Sequence, residues 1–396
     1  MENTNNQYKN TVLIAILVLL AGASISLHQF KIPTIMPQLM EMFKMSANTA
    51  SWTMSIFTLV GVFIAIPTGG LVDKLSGKKV MLYAFLFVAV GSIIGGMTND
   101  TSILLATRAL EGIGFVLISV AGPIAIRENC NPDQIGRAMG FWGAYVAVGQ
   151  IVAFNLTGIL YDQIGVQNIW FVYAAITVIL GLIAQFTLKS PNKSQVVTEA
   201  VENEEKLGFS SVVKNKSLLS VCIGFAFFNL LVMATVAFLP SYIITNGLMS
   251  PGEASFVATI PMIGCIIFSP IFGRLSESWG LKKIYLLAIL GAGLGTILVY
   301  QTSTTMIWVG VILWGIIGLN GPAMMFASIG QMVSPKEIGM AQGLCMMLQN
   351  CGMFLGTAIF IPILESVGGN YLTNALIIAV PATIIAFITV NMAKFR

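Results

Sequence analysis

The chain has 396 residues, 56% of them hydrophobic and only 9% charged, with a formal net charge of +4 and a mean hydropathy of +0.87. Soluble domains carry roughly 25% charged residues, so a water-soluble globular protein is excluded. Apolar runs about twice the length of a ten-residue barrel strand exclude a transmembrane barrel as well, which leaves a polytopic all-α membrane protein whose backbone groups are satisfied inside helices.

Apolar runs bounded by charges or by Gly and Pro clusters predict spans near 11–37, 48–70, 80–97, 102–126, 133–158, 168–188, 217–245, 252–273, 284–301, 304–328, 336–363 and 371–393. Each is close to the roughly 20 apolar residues that cross a bilayer core of about 30 Å. Residues 1–10 are polar, and no small-residue cleavage pattern follows a short core, so the first run reads as a retained span and not a signal peptide. The longest polar stretch, 189–216, holds Glu199, Glu202, Glu204 and Glu205 and sits near the midpoint. It reads as a cytoplasmic linker between an N-terminal six-helix bundle, 1–188, and a C-terminal one, 217–396. If the N-terminus is cytoplasmic, 17 of the 20 Lys and Arg residues fall on the inner side and only Lys44 lies in an outer loop. The positive-inside bias therefore predicts a plasma-membrane protein with both termini in the cytoplasm. The five cysteines form no Cys-x-x-Cys pair and are expected to be small packing residues, neither disulfides nor metal ligands.

The two halves repeat one another. An offset of 203 residues aligns Pro37 with Pro240, Gly61 with Gly264, Pro67 with Pro270 and Gly70 with Gly273, and an offset of 204 pairs Asp73 with Glu277 and Lys78 with Lys282. Further along, Pro132-x-x-Ile135-Gly136-x-Ala138-x-Gly140 recurs as Pro335-x-x-Ile338-Gly339-x-Ala341-x-Gly343. Shared apolar residues would follow from composition alone, whereas these matches are Pro, Gly and charge. A duplicated six-span unit keeps one orientation, because six is even, and two such halves related about the membrane normal form a transporter architecture with its solute site near the midplane.

The loop after span two, Gly69-Gly70-Leu71-Val72-Asp73-Lys74-Leu75-Ser76-Gly77-Lys78-Lys79, resembles the Gly-x-Leu-x-Asp-Arg/Lys-x-Gly-Arg/Lys-Arg/Lys loop of the major facilitator superfamily, with one extra residue before Gly77. The second copy keeps Gly273, Glu277, Gly280 and Lys282 but places Leu281 before the lysines. Arg108-x-x-Glu111-Gly112-x-Gly114 is similar to the Arg-x-x-Gln-Gly-x-Gly motif of the fourth span, with Glu in place of Gln. This resemblance implies twelve transmembrane helices in two pseudo-symmetric bundles. It also implies a cytoplasmic conformational latch built from Gly70, Asp73, Lys74, Lys78, Gly273, Glu277 and Lys282, and spans one and four lining a central cavity. Orientation of the topology by the same charges is the plainer alternative for Asp73 and the lysines.

Ionisable residues inside spans are expensive and default to functional candidates. Those that remain once loops are set aside are His28, Lys31, Arg108 and Glu111, all in the first half. His28 with Lys31, and Arg108 with Glu111, are i,i+3 pairs that share a helix face. Arg108 and Glu111 can neutralise one another, whereas no acidic partner for Lys31 is visible in the spans. An unpaired cation points to an anionic solute; the competing reading is that Lys31 extends its ammonium to the outer surface. Substrate-binding candidates are Lys31, Arg108, His28, Gln29, Tyr145 and Trp142 in the first half, and Asn229, Trp314, Asn320 and Asn350 in the second. Glu111 and His28 are the candidates for proton coupling.

The place of the Gly-Pro-x-x-Gly-Gly stretch of drug/proton antiporters reads Gly149-Gln150-Ile151-Val152-Ala153-Phe154, without the proline and paired glycines. Phe30-Lys31-Ile32-Pro33 is similar to the first span of cyanate-permease-like anion transporters. The leading expectation is thus an alternating-access carrier of a small organic or inorganic anion. An exporter of amphiphilic or cationic compounds is the alternative, and a transporter-like sensor the alternative of another class. With one histidine, no His-Glu-x-x-His and no phosphate-cradling Gly-x-x-x-x-Gly-Lys, neither an enzyme nor an ATP-driven pump is expected. Nor is any cofactor, metal or nucleic acid; the expected partners are the solute and the lipid bilayer, around a monomer.

Overall fold

The computed structural model describes residues 11–190, 209–334 and 338–395, and helix is the only regular structure among them. The helices are α1 (Thr11–Phe43), α2 (Ala47–Leu75), α3 (Gly77–Met97), α4 (Thr101–Asn129), α5 (Ile135–Trp142), α6 (Tyr145–Thr187), α7 (Phe209–Lys214), α8 (Lys216–Val236), α9 (Leu239–Thr245), α10 (Pro251–Trp279), α11 (Leu281–Val299), α12 (Thr304–Ile316), α13 (Gly321–Met332), α14 (Ile338–Ser366) and α15 (Tyr371–Met392). Eleven stretches of the described chain are long and apolar enough to cross a membrane, and one of these, Arg137–Thr187, has 51 residues. That is more than twice what one crossing requires. Gly165 breaks it, with φ 75° and ψ 174°, a conformation essentially confined to glycine. Counted on either side of Gly165, the spans number twelve, in two pseudo-symmetric bundles of six. Much of the expected linker falls on residues 191–208, outside the described residues, as do residues 1–10 and Lys336.

Local chemistry sets several helix ends. Asp100 caps α4 by accepting from the backbone N–H groups of Ser102 and Ile103. Ser250 and Glu253 form a reciprocal capping box at the start of α10, with Pro251 in the first turn where its missing N–H costs nothing. Inside α1, Pro33 and Pro37 flank a non-helical Ile35, where proline removes a ladder bond and kinks the span.

The halves meet along two main seams, α2 against α14 and α6 against α10. The apolar core is continuous between halves only at the end remote from the termini, where Leu27 to Leu39 of α1 and Met54 of α2 belong to one cluster with residues of α8, α9 and α14. Near the termini a separate cluster, built from α1, α3, α4, α5 and α6 alone, holds the first half together. Ser55 of α2 donates to Thr357 of α14 at 2.7 Å, and Trp52 lies against Phe354 with centroids 5.9 Å apart. Toward the opposite end, a Cβ added at Gly140, Gly273 or Gly343 meets nothing within 4 Å. On the far face the two halves are thus in direct contact.

One expectation about cysteine is corrected. Cys222 of α8 and Cys345 of α14 form a disulfide, with Cα atoms 5.0 Å apart. These helices pack along their length, and contact between residues 123 apart in sequence leaves no mark in the spacing of cysteines.

Candidate functional site

Four charged or titratable side chains converge inside the first half, all fully buried. On α4, Arg108 and Glu111 stand one turn apart, and Arg108 Nη1 donates to Glu111 Oε2. On α1, His28 and Lys31 repeat that spacing and face the same carboxylate. Lys31 Nζ lies 2.6 Å from Glu111 Oε1, and His28 Nδ1 lies 3.2 Å from that oxygen. Among the described residues every ion pair ends on Glu111. The expectation that Lys31 lacks an acidic partner is therefore wrong. The sequence shows which residues share a face of one helix, whereas the pairing of α1 with α4 is a tertiary fact. Burial also excludes extension of the Lys31 ammonium to the surface.

The surroundings complete the cluster. Arg108 Nη1 donates to the His28 carbonyl at 2.7 Å and Nε to the Thr53 carbonyl at 2.9 Å, which ties α4 to α1 and α2. Its guanidinium lies over Phe57, 4.7 Å from the ring centroid, and the Lys31 ammonium lies over Trp170 at 4.4 Å, so both cations are held partly by aromatic faces. Lys31 also reaches Ser92 Oγ of α3 at 3.4 Å and His28 Nδ1 at 3.3 Å. His28 Nε2 lies 3.0 Å from Thr177 Oγ1, which in turn donates to the Ser24 carbonyl at 3.3 Å. With the proton on Nε2 the chain runs in one direction: Lys31 donates to Nδ1, Nε2–H to Thr177, and Thr177 to the Ser24 carbonyl. Nδ1 then faces Glu111 Oε1 as acceptor against acceptor, and a second proton on the imidazole turns that contact into a charge-assisted bond.

A cavity of about 80 Å³ lies between the halves. Its first-half wall includes Gln29, Phe115, Ser119 and Tyr145, and its second-half wall Met346, Gln349, Asn350 and Met353. None of its lining residues is charged. Gln29 follows His28 by one position, about 100° around the helix, so α1 turns its ionisable face into the first half and Gln29 toward the cavity. Tyr145 is fixed by a 2.9 Å bond to Ser119 Oγ and by stacking on Trp142, with centroids 4.1 Å and planes 14° apart.

The other candidates are placed as follows. Asn350 lines the cavity with its amide nitrogen committed to the Met346 carbonyl, and Asn229 stands one bond behind it, accepting from Gln349 at 3.4 Å. Trp314 and Asn320 are buried in the packing of the second half, away from the cavity lining, Asn320 donating to the Ile316 carbonyl at 2.7 Å. Phe115 and Ser119 were not singled out from sequence; they sit one and two turns beyond Glu111, a signal too common among apolar and hydroxyl residues in spans to be distinctive.

Of the latch residues, Gly70, Asp73 and Lys74 lie in α2, with side chains outside the described residues. Lys78 is half-buried, and Gly273 and Glu277 lie near the end of α10, Glu277 exposed. Lys282 donates to the carbonyls of Asn391 and Ala393, within its own half. Glu128 of α4, unanticipated, accepts the Gly77 N–H on both oxygens at 3.1 Å and so caps the start of α3.

The sequence profile of the Major Facilitator Superfamily matches residues 14–249 and 237–396. The chain belongs to that superfamily. Similar proteins include the riboflavin transporter RibZ of Clostridioides difficile, 23% identical over 80% of each chain. The MFS-type transporter ppzB of Metarhizium rileyi is 27% identical over 30% of this chain, and the match spans 24% of ppzB. Among solved structures, the nucleoside transporter NupG superposes with a TM-score of 0.79 at 17% identity, covering 96% of this chain and 100% of its own. That likeness establishes the shared twelve-span fold.

Proposed function

We propose that the chain is a secondary active transporter of the plasma membrane, and not an enzyme. It works by alternating access, with residues 1–188 and 217–396 as its two rocking halves and both termini in the cytoplasm. The solute is an uncharged, amphiphilic organic molecule bound between the halves. One observation carries this reading: the cavity lining is apolar or neutral and polar, while the ionisable groups of the spans are buried together behind α1, sharing one carboxylate. A charged solute held between the halves needs a partner of opposite charge, and the lining offers none. The name of RibZ, a riboflavin transporter, accords with an organic solute.

The cluster then acts as the proton-linked element. A proton taken by His28 Nδ1 competes with Lys31 for Glu111 Oε1, loosening one of the ties between α1 and α4. Because Arg108 holds the His28 carbonyl, such a change is felt in the α1 backbone next to Gln29.

A small anion is the second reading, favoured by the charge balance of Lys31 and Arg108 against one carboxylate and by an Arg108 Nη2 without a hydrogen-bond partner. Proteoliposomes containing a trapped pH dye separate the two. Neutral aromatic compounds are expected to drive proton movement and to compete with one another, with nitrate, acetate and phosphate inert. Proton movement or competition by the anions alone would overturn the neutral-solute reading.

A further inference from the structure

Gln29 stands apart from the other polar side chains of the cavity wall. Tyr145 and Ser119 satisfy one another, the Asn350 amide nitrogen is bound within its own helix, and that of Gln349 is bound to Asn229. Gln29 is fully buried, yet both its Oε1 and its Nε2 lack any hydrogen-bond partner. A buried amide with neither donor nor acceptor satisfied is rare in folded proteins and calls for an explanation, which is most often a ligand or bound water. Here the amide borders the cavity, beside a fixed aromatic wall in which Phe115 and Tyr145 have centroids 6.3 Å apart and Tyr145 is backed by its stack with Trp142.

We propose that Gln29 is the specificity-determining anchor of this cavity, and that it recognises an amide-type edge, an N–H adjacent to a C=O, on a flat, uncharged ring. A primary amide presents one donor and one acceptor side by side, and the complementary edge of a lactam, cyclic urea or carboxamide closes both bonds at once. The aromatic wall supplies the flat surface against which such a ring lies. Asn350 and Gln349 line the second-half wall of the same cavity. Selectivity follows from the burial of the Gln29 amide, which no other protein group satisfies. A ring lacking the N–H leaves a buried amide oxygen unpaired, and a site built to hydrogen-bond rejects such analogues far more strongly than an apolar pocket rejects a change of size. This inference rests on the neutral-solute reading above.

The test uses the full chain in nanodiscs and titration calorimetry with three probes of nearly equal size: 2-quinolinone, which has the N–H and C=O edge, N-methyl-2-quinolinone, which has lost the donor, and quinoline, which has no amide edge. The wild-type protein is expected to bind 2-quinolinone about tenfold or more tighter than the N-methyl compound, the equivalent of one lost buried hydrogen bond. Gln29→Leu is expected to erase that preference, bringing the ratio of the two affinities to about one, with its thermal melting in nanodiscs showing that the variant is folded. Equal binding of the three probes by wild type, or a preference that survives Gln29→Leu, would remove the role of Gln29 and leave the neutral-solute reading standing. No binding of any probe would overturn both.

Discussion

Lys31 and Arg108 divide one carboxylate between them: Lys31 Nζ lies 2.6 Å from Glu111 Oε1, and Arg108 Nη1 donates to Oε2. The partners come from two helices, and the three side chains are fully buried. The arrangement makes Glu111 the pivot of the first half, because its loss would leave two cations without a counter-charge.

Thermal unfolding in detergent should therefore rank substitutions unequally. Glu111→Gln is expected to cost about 3–5 kcal/mol, the range for leaving buried charge uncompensated. Lys31→Met should cost clearly less, since Glu111 keeps Arg108. The reverse order would show that Lys31 and not the carboxylate organises the cluster.

Histidine 28 offers a more specific probe of coupling. In His28→Gln the amide can still bond Thr177 but takes up no proton near neutral pH. Solute exchange at equal pH on both sides should persist, while proton movement driven by solute disappears. If exchange and proton movement fell together, the histidine would be a packing residue and nothing more.

The far-face closure can be locked. Ser55 Oγ and Thr357 Oγ1 are 2.7 Å apart on opposite halves, so the pair Ser55→Cys and Thr357→Cys should cross-link under mild oxidation. Transport should stop and return on reduction. A cross-linked protein that still transports would mean that this seam does not open in the cycle.

Two glycines should respond oppositely to one added methyl group. A Cβ at Gly112 would run into the Phe57 carbonyl of α2, whereas one at Gly140 meets nothing within 4 Å. Gly112→Ala is expected to lower stability by about 1–3 kcal/mol, the usual cost of overpacking, and to reduce the yield of folded protein. Gly140→Ala should be close to neutral in the same melting assay.

Much of the fold is legible because lipid enforces it: a span must be long, apolar and helical, so Leu, Ile and Val runs report spans directly, and Pro and Gly at a fixed offset report the duplication. The i,i+3 pairs His28 with Lys31 and Arg108 with Glu111 are legible too, since one helix fixes its own faces. What the chain order cannot show is which faces meet. That Lys31 reaches Glu111, that Cys222 meets Cys345, and that Gln29 is left unsatisfied while Tyr145 is not, all depend on how separate helices are set against one another. Trp314 and Asn320 illustrate the converse. A polar side chain in a span marks either a solute contact or a packing position, and these two are buried in the second half away from the cavity lining, Asn320 bonding the carbonyl four residues back.

The break at Gly165 has a mechanical consequence. Spans five and six are joined by a single reversed residue with no slack between them. Span five forms the seam against α10, and span six supplies Trp170, Tyr173 and Thr177 to the surroundings of the charge cluster. If the halves rock as proposed, tilting at the seam would pass through this hairpin to the ring that touches Lys31 and the hydroxyl that touches His28. Under the proposed proton coupling, protonation at the cluster would push back along the same path.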